Sequence, residues 1–360
     1  MSNAKDFWTK LTVTPSRAKR MLALCLESGT TAMMWGNYGV GKTSIVKELF
    51  NDLNKLDESR RFNKLVMINP SQTDIIDFKV PHVREIRDTG EFISSFAFSD
   101  YLPHRNDGRC IIFVDEINTA PQSLQPTLYS LILEGRIGNY KLPDGCFRVA
   151  AGNRDEDGCA AQPMSNALKD RLNLHMNVEP RRQCWGRWAC QNGIREEIQA
   201  WVQFSPESSL KGHSADDPTG GCTPRSLEAL SRQMDSLARH NLLDTEDEDI
   251  ILTGTIGQAA GSEFKGFLKI YRSETNIDEI LKNPTRAKLY TRGDLNFCIA
   301  YALANEMNEE NIGTIFKYLE RMEPTYMILS AYVALEKDKG RWMNNKVMRE
   351  FIRKNVNMFT

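Results

Sequence analysis

The most constraining feature of this sequence is the stretch GNYGVGKTS at residues 36–44, which fits the pattern G-x-x-x-x-G-K-[ST]. It lies between an apolar run of strand length, TAMMW, and a predicted helix, Lys42–Asn54. Glycines in such a loop let backbone N–H groups converge on phosphate oxygens, and the helix N-terminus adds a partial positive charge. An accidental glycine turn is the alternative, but the strand–loop–helix context favours a nucleotide phosphate site. We expect the whole loop to line it: Gly36, Asn37, Tyr38, Gly39, Val40, Gly41, Lys42, Thr43 and Ser44.

Within that loop, Lys42 is predicted to contact the β- and γ-phosphates, and the Thr43 hydroxyl to bind Mg²⁺. The acidic partner is predicted from IIFVDEIN at residues 111–118, where Asp115 follows a buried strand and suits the Mg²⁺ shell. Glu116 comes next, placed to polarise an attacking water. A chance Asp-Glu pair is the alternative, and it is weak beside a phosphate loop. Because a nucleotide kinase needs no base here, Glu116 favours hydrolysis.

A third polar position follows the apolar strand in VAAGNR, at residues 149–154. Asn153 is predicted to lie beside the strand that carries Asp115, where its amide can orient the water or contact the γ-phosphate. A lone Asn is usually a turn residue. Its position after a buried strand favours a role in the site.

The element pattern predicts an α/β fold, because strand-like and helical runs alternate up to Pro180 and continuous apolar strands suit a parallel sheet buried on both faces. Helical patterns dominate beyond Pro180. We therefore predict a nucleotide-binding core at residues 1–180, a helical lid at 181–240 and a C-terminal helical domain at 241–360. The acidic stretch DTEDED, at residues 244–249, is interpreted as a solvated linker.

The composition excludes some classes of protein. Lys and Arg total 46 against 47 Asp and Glu, a net charge of −1, so nothing demands a nucleic-acid partner. No run approaches the roughly 18–20 apolar residues of a membrane span, and the N-terminus lacks a signal-peptide core, so we expect a cytoplasmic protein with no membrane partner. The eight Cys are scattered without zinc spacing, which favours reduced thiols.

The order of these motifs resembles the AAA+ ATPases, and within them the MoxR-like group. The resemblance covers roughly residues 15–240, and DEINTAP followed by a helix and a strand-turn-strand is its most specific part. It implies a P-loop NTPase core with a parallel sheet flanked by helices, then an α-helical lid. It also implies ATP and Mg²⁺ as cofactors and assembly into a ring, expected to be a hexamer. The loop motif predicts a triphosphate ligand and does not specify the base. GTP is therefore an alternative on the residues alone, and ATP is the usual nucleotide of the family.

Residue by residue, the resemblance makes Asn153 the sensor-1 residue and Arg171, in NALKDRL, the arginine finger that reaches a neighbouring subunit. It makes Arg225, near the start of the lid helix, the sensor-2 residue. The family usually has an aromatic after the finger arginine, where this chain has Leu172. Arg171 as half of a surface ion pair and Arg225 as an ordinary exposed residue are the alternatives. Lys42, Glu116, Asn153 and Arg171 form the predicted catalytic set, and Asn69 is expected to restrain Glu116.

Two inserts fit the MoxR-like group, at residues 79–101 and 136–147, where such ATPases contact the central pore or a client. Phe92, Phe96, Phe98 and Tyr140 are candidates for that contact, and packing of these aromatics onto their own domain is equally consistent with the sequence.

The resemblance implies ATP-driven remodelling or maturation of a partner protein, which in this group often carries a von Willebrand factor A domain. A nucleic-acid-linked motor is the second hypothesis, and the balanced charge counts against it. A nucleotide-gated scaffold with slow turnover is the third, and the pairing of Glu116 with Asn153 counts against that.

Overall fold

The computed structural model of the protein describes residues 8–55, 61–86, 88–154, 164, 166–205, 207–210, 212, 219, 221–274 and 276–355. The chain forms two compact units, Met1–Pro180 and Arg181–Thr360. The further division at residue 240 stays a prediction. Among the described helices, none is long and apolar enough to cross a membrane.

A six-stranded parallel sheet forms the centre of the N-terminal unit, and the α/β fold predicted from the sequence is confirmed. In chain order its strands are β1 (Thr12–Val13), β2 (Ala32–Trp35), β3 (Lys64–Ile68), β6 (Cys110–Val114), β9 (Phe147–Gly152) and β10 (Leu174–Val178). Across the sheet they run in the order β1-β10-β2-β9-β6-β3. Alternate residues of the central strands enter two separate hydrophobic clusters, one on each face, which explains their continuous apolar runs.

The helices that flank this sheet in the described part of the unit include α1 (Pro15–Ser28), α2 (Lys42–Asn54), α3 (Gln125–Glu134) and α4 (Asn166–Arg171). The register of the sheet decides which loops meet. Trp35 pairs with Gly152, and Val114 pairs with Ala150, so the carboxyl ends of β2, β9 and β6 lie side by side. The residues that follow these strands, which include Gly36, Asn153 and Asp115, therefore emerge at one edge of the sheet.

Both predicted inserts form antiparallel hairpins outside the main sheet. The first pairs β4 (Lys79–Glu85) with β5 (Phe92–Phe98), and the second pairs β7 (Arg136–Ile137) with β8 (Tyr140–Lys141).

The structure separates the candidate aromatics of these inserts. Tyr140 is buried, its hydroxyl donates to the Pro103 carbonyl, and burial raises the pKa of its phenol. Phe92 and Phe96 are 72% and 56% exposed. The side chain of Phe98 lies outside the described part of the chain. Tyr140 therefore packs onto its own domain, whereas Phe92 and Phe96 face solvent.

The regular secondary structure in the described part of the C-terminal unit is helical apart from an isolated bridge between Gly212 and Cys222. Its helices are α5 (Arg182–Gln191), α6 (Glu196–Phe204), α7 (Pro224–Arg239), α8 (Glu246–Ile256), α9 (Gln258–Glu274), α10 (Ile277–Lys282), α11 (Gly293–Glu306), α12 (Ile312–Leu319), α13 (Pro324–Lys337), α14 (Lys339–Asn344) and α15 (Lys346–Lys354). Helices α14 and α15 are separate elements. The break falls at Asn345, whose side chain caps α15 by accepting from the Met348 backbone N–H.

The interpretation of residues 244–249 as a solvated linker is wrong. Helix α8 begins at Glu246, and Glu248 in its first turn is almost fully buried. The Glu248 carboxylate accepts two hydrogen bonds of 2.9 Å from the Arg272 guanidinium of α9, and a third of 2.9 Å from the Asp244 backbone. The run of acidic residues does not predict this burial, because a buried carboxylate depends on a partner that is distant in the sequence. The partner here, Arg272, comes 24 residues later.

Candidate active site

The phosphate loop begins where strand β2 ends, at Trp35. Gly36 has φ +151, and a Cβ there would lie 2.6 Å from the Val178 carbonyl oxygen of β10. The first glycine of the motif is therefore required by a close approach to the neighbouring strand. Helix α2 begins directly after the loop, at Lys42.

The Lys42 side chain lies inside the loop and is 8% exposed. Its ammonium donates to the Gly36 carbonyl at 2.6 Å, the Asn37 carbonyl at 3.0 Å and Asn153 Oδ1 at 2.7 Å. An ammonium has three N–H donors, and a buried one needs acceptors for them. The structure thus brings Lys42 together with Asn153, which is 111 positions away in the sequence.

Thr43 contacts the second predicted partner. Its hydroxyl donates to Asp115 Oδ2 at 2.6 Å, joining the start of α2 to the end of β6. Oxygen donors from one carboxylate and one hydroxyl fit Mg²⁺, which prefers oxygen ligands and usually keeps several waters and substrate phosphates. The described residues contain no cluster of three or more His, Cys, Asp or Glu able to hold a metal by themselves. The pair Thr43 and Asp115 offers two oxygen ligands of the kind that fit a magnesium ion.

Glu116 occupies an unusual backbone conformation at this edge. Its φ of 53° and ψ of 42° lie in the left-handed region, which few residues other than glycine adopt. The Glu116 backbone N–H donates to Asp115 Oδ1 at 3.1 Å, and its carbonyl accepts from the Thr119 hydroxyl at 2.8 Å. Such strain recurs at functional sites, where surrounding structure holds it in place. The role of Glu116 as the base stays a prediction.

Asn118 is a residue that sequence reasoning missed. It is buried, and its side-chain amide donates to the Asn153 carbonyl at 2.7 Å and accepts from the Asn153 backbone N–H at 3.3 Å. A Cβ on Gly152 would lie 2.7 Å from Asn118 Oδ1 and 2.8 Å from Met33 Cε. Gly152 and Asn118 therefore fix the backbone that presents Asn153. The only sign of this role in the sequence is that Asn118 is the third residue after Asp115, in DEIN. An isolated Asn is a weak signal.

Arg171 ends helix α4 in the same unit. Its guanidinium carbon lies 5.7 Å from the centroid of the Tyr129 ring in α3, and its backbone carbonyl accepts from the Thr31 hydroxyl at 2.7 Å. In the C-terminal unit, Arg225 is exposed in the first turn of α7, which Thr223 caps by accepting from the Ser226 backbone N–H at 3.0 Å. The roles of Arg171 and Arg225 stay predictions.

Asn69 does not restrain Glu116 in the described structure. Its side-chain oxygen accepts from the Ser71 backbone N–H at 3.2 Å and from the Ser71 hydroxyl at 2.9 Å, which caps the turn Pro70–Gln72. Among the described residues, no hydrogen bond joins Asn69 to Glu116. A local Asx cap explains this asparagine fully.

The family comparison agrees with this geometry. Residues 31–172 match the family model described as AAA domain (dynein-related subfamily). This match lies within the N-terminal unit and covers less than half of the chain, and the fold of the unit is the AAA+ P-loop fold, with a parallel sheet flanked by helices. A search of curated proteins found no significant match.

Solved structures give distant similarities. The RuvB Holliday junction branch migration motor of Thermotoga maritima is 15% identical with a TM-score of 0.36, over 85% of this chain and 87% of that one. A single-residue variant of the same RuvB is 14% identical with a TM-score of 0.40, over 86% and 88% of the two chains. NtrX from Brucella abortus in complex with ADP is 12% identical with a TM-score of 0.39, over 95% and 66%.

Proposed function

We propose that this chain is a MoxR-like AAA+ ATPase that hydrolyses ATP with Mg²⁺ in a ring, expected to be a hexamer, and uses the energy to remodel or mature a partner protein. The observation that carries the proposal is the pair of contacts Lys42–Asn153 and Thr43–Asp115. Each contact joins the phosphate loop to a polar group predicted for hydrolysis, and both lie at one sheet edge.

The side chains divide the chemistry between them. Lys42 neutralises charge on the β- and γ-phosphates, and the loop N–H groups and the start of α2 hold the same oxygens. Thr43 and Asp115 would hold Mg²⁺, which supplies neutralisation of the charge that develops on the phosphates. Glu116 accepts a proton from the attacking water, and Asn153 orients that water or the γ-phosphate.

Two arginines complete the site in this proposal. Arg171 of an adjacent subunit stabilises the transferring phosphoryl group, an interaction worth about 10³–10⁵-fold in related nucleotidases. Arg225 binds phosphate from the lid helix, so that loss of the γ-phosphate changes the angle of the lid. The removal of both charge-assisted contacts on hydrolysis is what moves the subunit interface.

The hairpin β4–β5 supports a protein partner. Because side chains alternate along paired strands, Pro81, Val83, Phe92 and Phe96 lie on one face of this hairpin. All four are exposed, and Val83 is 64% exposed. Contiguous exposed apolar groups mark interaction surfaces in folded proteins. We propose that this face binds the client or a partner with a von Willebrand factor A domain.

Substitution of Glu116 tests the hydrolysis proposal. Glu116→Gln keeps the shape of the side chain and removes the base, so we expect nucleotide binding to persist while kcat falls by at least about 100-fold. Steady-state hydrolysis and equilibrium nucleotide binding separate the two effects. Parental turnover in Glu116→Gln would remove Glu116 from the mechanism. Salt-dependent DNA binding with stimulation of hydrolysis by DNA would favour the nucleic-acid motor instead.

Mixing two inactive variants tests the ring. Lys42→Ala keeps the arginine but loses its own phosphate site, and Arg171→Ala does the reverse. If Arg171 acts in trans, mixed assemblies regain activity at interfaces where the Arg171→Ala subunit receives the arginine of a Lys42→Ala neighbour. Activity that stays absent in subunits shown to co-assemble would return Arg171 to its own chain.

A further inference from the structure

His175 joins the strand that leads into the phosphate loop to the helix that carries Arg171. The Trp35 indole N–H donates to His175 Nδ1 at 3.0 Å, and His175 Nε2 lies 3.0 Å from the Lys169 backbone carbonyl. An indole N–H only donates and a carbonyl only accepts. Both contacts are satisfied together only by the neutral ring with its proton on Nε2. The two rings lie side by side and nearly coplanar, with centroids 6.2 Å apart and planes 14° apart.

Helix α4 needs such anchors. It has six residues, and isolated helices of that length do not persist in water. The last carbonyls of a helix have no partner within the helix. Here the Lys169 carbonyl is bonded by His175 of β10 and accepts from the Leu172 backbone N–H at 3.2 Å, and the Arg171 carbonyl is bonded by the Thr31 hydroxyl, directly before β2. The buried side chains of Leu168, within the helix, and Leu172, directly after it, add an apolar attachment.

We propose that His175 is a positioning residue for Arg171, a role that rests on the proposed function of Arg171 as a finger in trans. The contacted carbonyl belongs to Lys169, two residues before Arg171, so loss of this contact removes one anchor of the turn that ends in the arginine. Trp35 directly precedes Gly36. The ring thus links a subunit's own phosphate loop to the arginine it presents to its neighbour.

We expect a small displacement of this helix to lower the rate of hydrolysis strongly and the free energy of unfolding only slightly. A misplacement of about 1 Å in a group that acts on the transition state can lower the rate by roughly 10²-fold. If His175 had only a structural role, the result would differ, because its loss would lower stability without acting through Arg171. The two roles are separated by kinetics in assembled rings.

The test compares His175→Phe with His175→Gln. Phenylalanine keeps an aromatic ring against Trp35 and has neither nitrogen, whereas glutamine retains one acceptor and one donor. We expect His175→Phe to lower kcat by about 10-fold with KM for ATP changed less than about 2-fold, and His175→Gln to recover most of the rate. Lys169→Ala is the matched control, since it keeps the accepting carbonyl and changes only an exposed side chain. His175→Leu carries the same comparison if the Phe variant does not assemble.

A double variant shows whether His175 acts through Arg171. If it does, His175→Phe combined with Arg171→Ala is no slower than Arg171→Ala alone. Multiplied losses, or a His175→Phe variant with parental kcat, would overturn the inference while leaving the finger intact. A parental kcat in Arg171→Ala would instead overturn the finger, and the role of His175 with it.

Mixed rings place the effect on the neighbour. Lys42→Ala/His175→Phe subunits are combined with Arg171→Ala subunits, whose phosphate loops and His175 are intact. We expect recovery about 10-fold below that obtained with Lys42→Ala alone, because the donated arginine is misplaced. Equal recovery in co-assembled rings would show that His175 serves only its own subunit, and would contradict the proposal.

Discussion

The sheet edge that carries the phosphate loop and the hairpin β4–β5 both depart from the usual pattern of buried apolar and exposed polar side chains, and they do so in opposite ways. At the edge, Lys42, Asn118 and Asn153 are polar and buried, and each is hydrogen-bonded. On the hairpin, Val83, Phe92 and Phe96 are apolar and exposed. Both arrangements cost free energy in an isolated subunit, but they are compensated differently.

The buried polar groups are compensated within the chain. A desolvated ammonium or amide is stable only when its donors and acceptors are matched, and matching fixes its position to within hydrogen-bond distance. The exposed apolar groups have no such compensation among their own neighbours, and burial against another surface would supply it. The edge therefore has polar groups held in fixed positions by their own chain, whereas the hairpin has a surface suited to another protein.

The largest effect is expected from removal of the Lys42 side chain at the sheet edge that carries the phosphate loop. Lys42→Ala removes a donor from Asn153 and from two loop carbonyls, and it removes the charge that neutralises phosphate. We expect kcat/KM for ATP to fall about 10²–10³-fold, equivalent to roughly 3–4 kcal/mol. Steady-state kinetics on the assembled protein measure this loss. Lys47→Ala, on the exposed side of the same helix, is the control and should remain near parental. A modest loss in Lys42→Ala would mean that this edge is not the hydrolytic site.

The sequence predicted this sheet edge far better than the hairpin. Strands β2 and β6 and helix α2 follow from apolar runs and a loop motif, which are local signals, and the α/β fold follows from their alternation. The contact between Lys42 and Asn153 could be expected because parallel strands end at a common edge. Asn118 could not, since its role depends on the close approach of Gly152. No local pattern distinguished buried Tyr140 from exposed Phe92, because burial of an aromatic depends on what packs over it.

Glu248 extends the comparison to a buried polar group with no part in the proposed nucleotide chemistry. The residue is 4% exposed and paired with Arg272, and burial of one member without the other is unfavourable. Glu248→Ala should lower the free energy of unfolding by about 3 kcal/mol. The matched control is Glu228→Ala, which breaks an exposed pair with Arg232 four residues on and should cost less than about 0.5 kcal/mol. Denaturant unfolding measures both, and equal losses would show that burial does not decide the value of the pair.

Gly152→Ala tests how closely the polar edge is packed. The added Cβ would meet Asn118 Oδ1 and Met33 Cε at distances shorter than van der Waals contact, so either Asn118 or strand β9 must shift. We expect the free energy of unfolding to fall by about 2 kcal/mol and hydrolysis to fall with it as Asn153 moves. Gly254→Ala is the control, because no atom beyond its chain neighbours and the backbone of helix α8 lies within 4 Å of the added Cβ. That change should stabilise by about 0.5–1 kcal/mol. Stabilisation by Gly152→Ala would show that the edge yields freely.

The smallest effect on stability is expected from substitutions in the hairpin. A small effect would distinguish the hairpin from the sheet edge that carries the phosphate loop. Phe92→Ser together with Phe96→Ser should change the free energy of unfolding by less than about 0.5 kcal/mol, because both rings already face solvent. Capture of the partner protein, and any stimulation of hydrolysis by it, should be lost, since two aromatic anchors carry much of the binding energy of an interface. Arg84→Ser, on the opposite face of the same hairpin, controls for a general change in the loop. A large loss of stability in the double variant would mean that these rings pack within the subunit, and the hairpin would then resemble the edge in being compensated by its own chain.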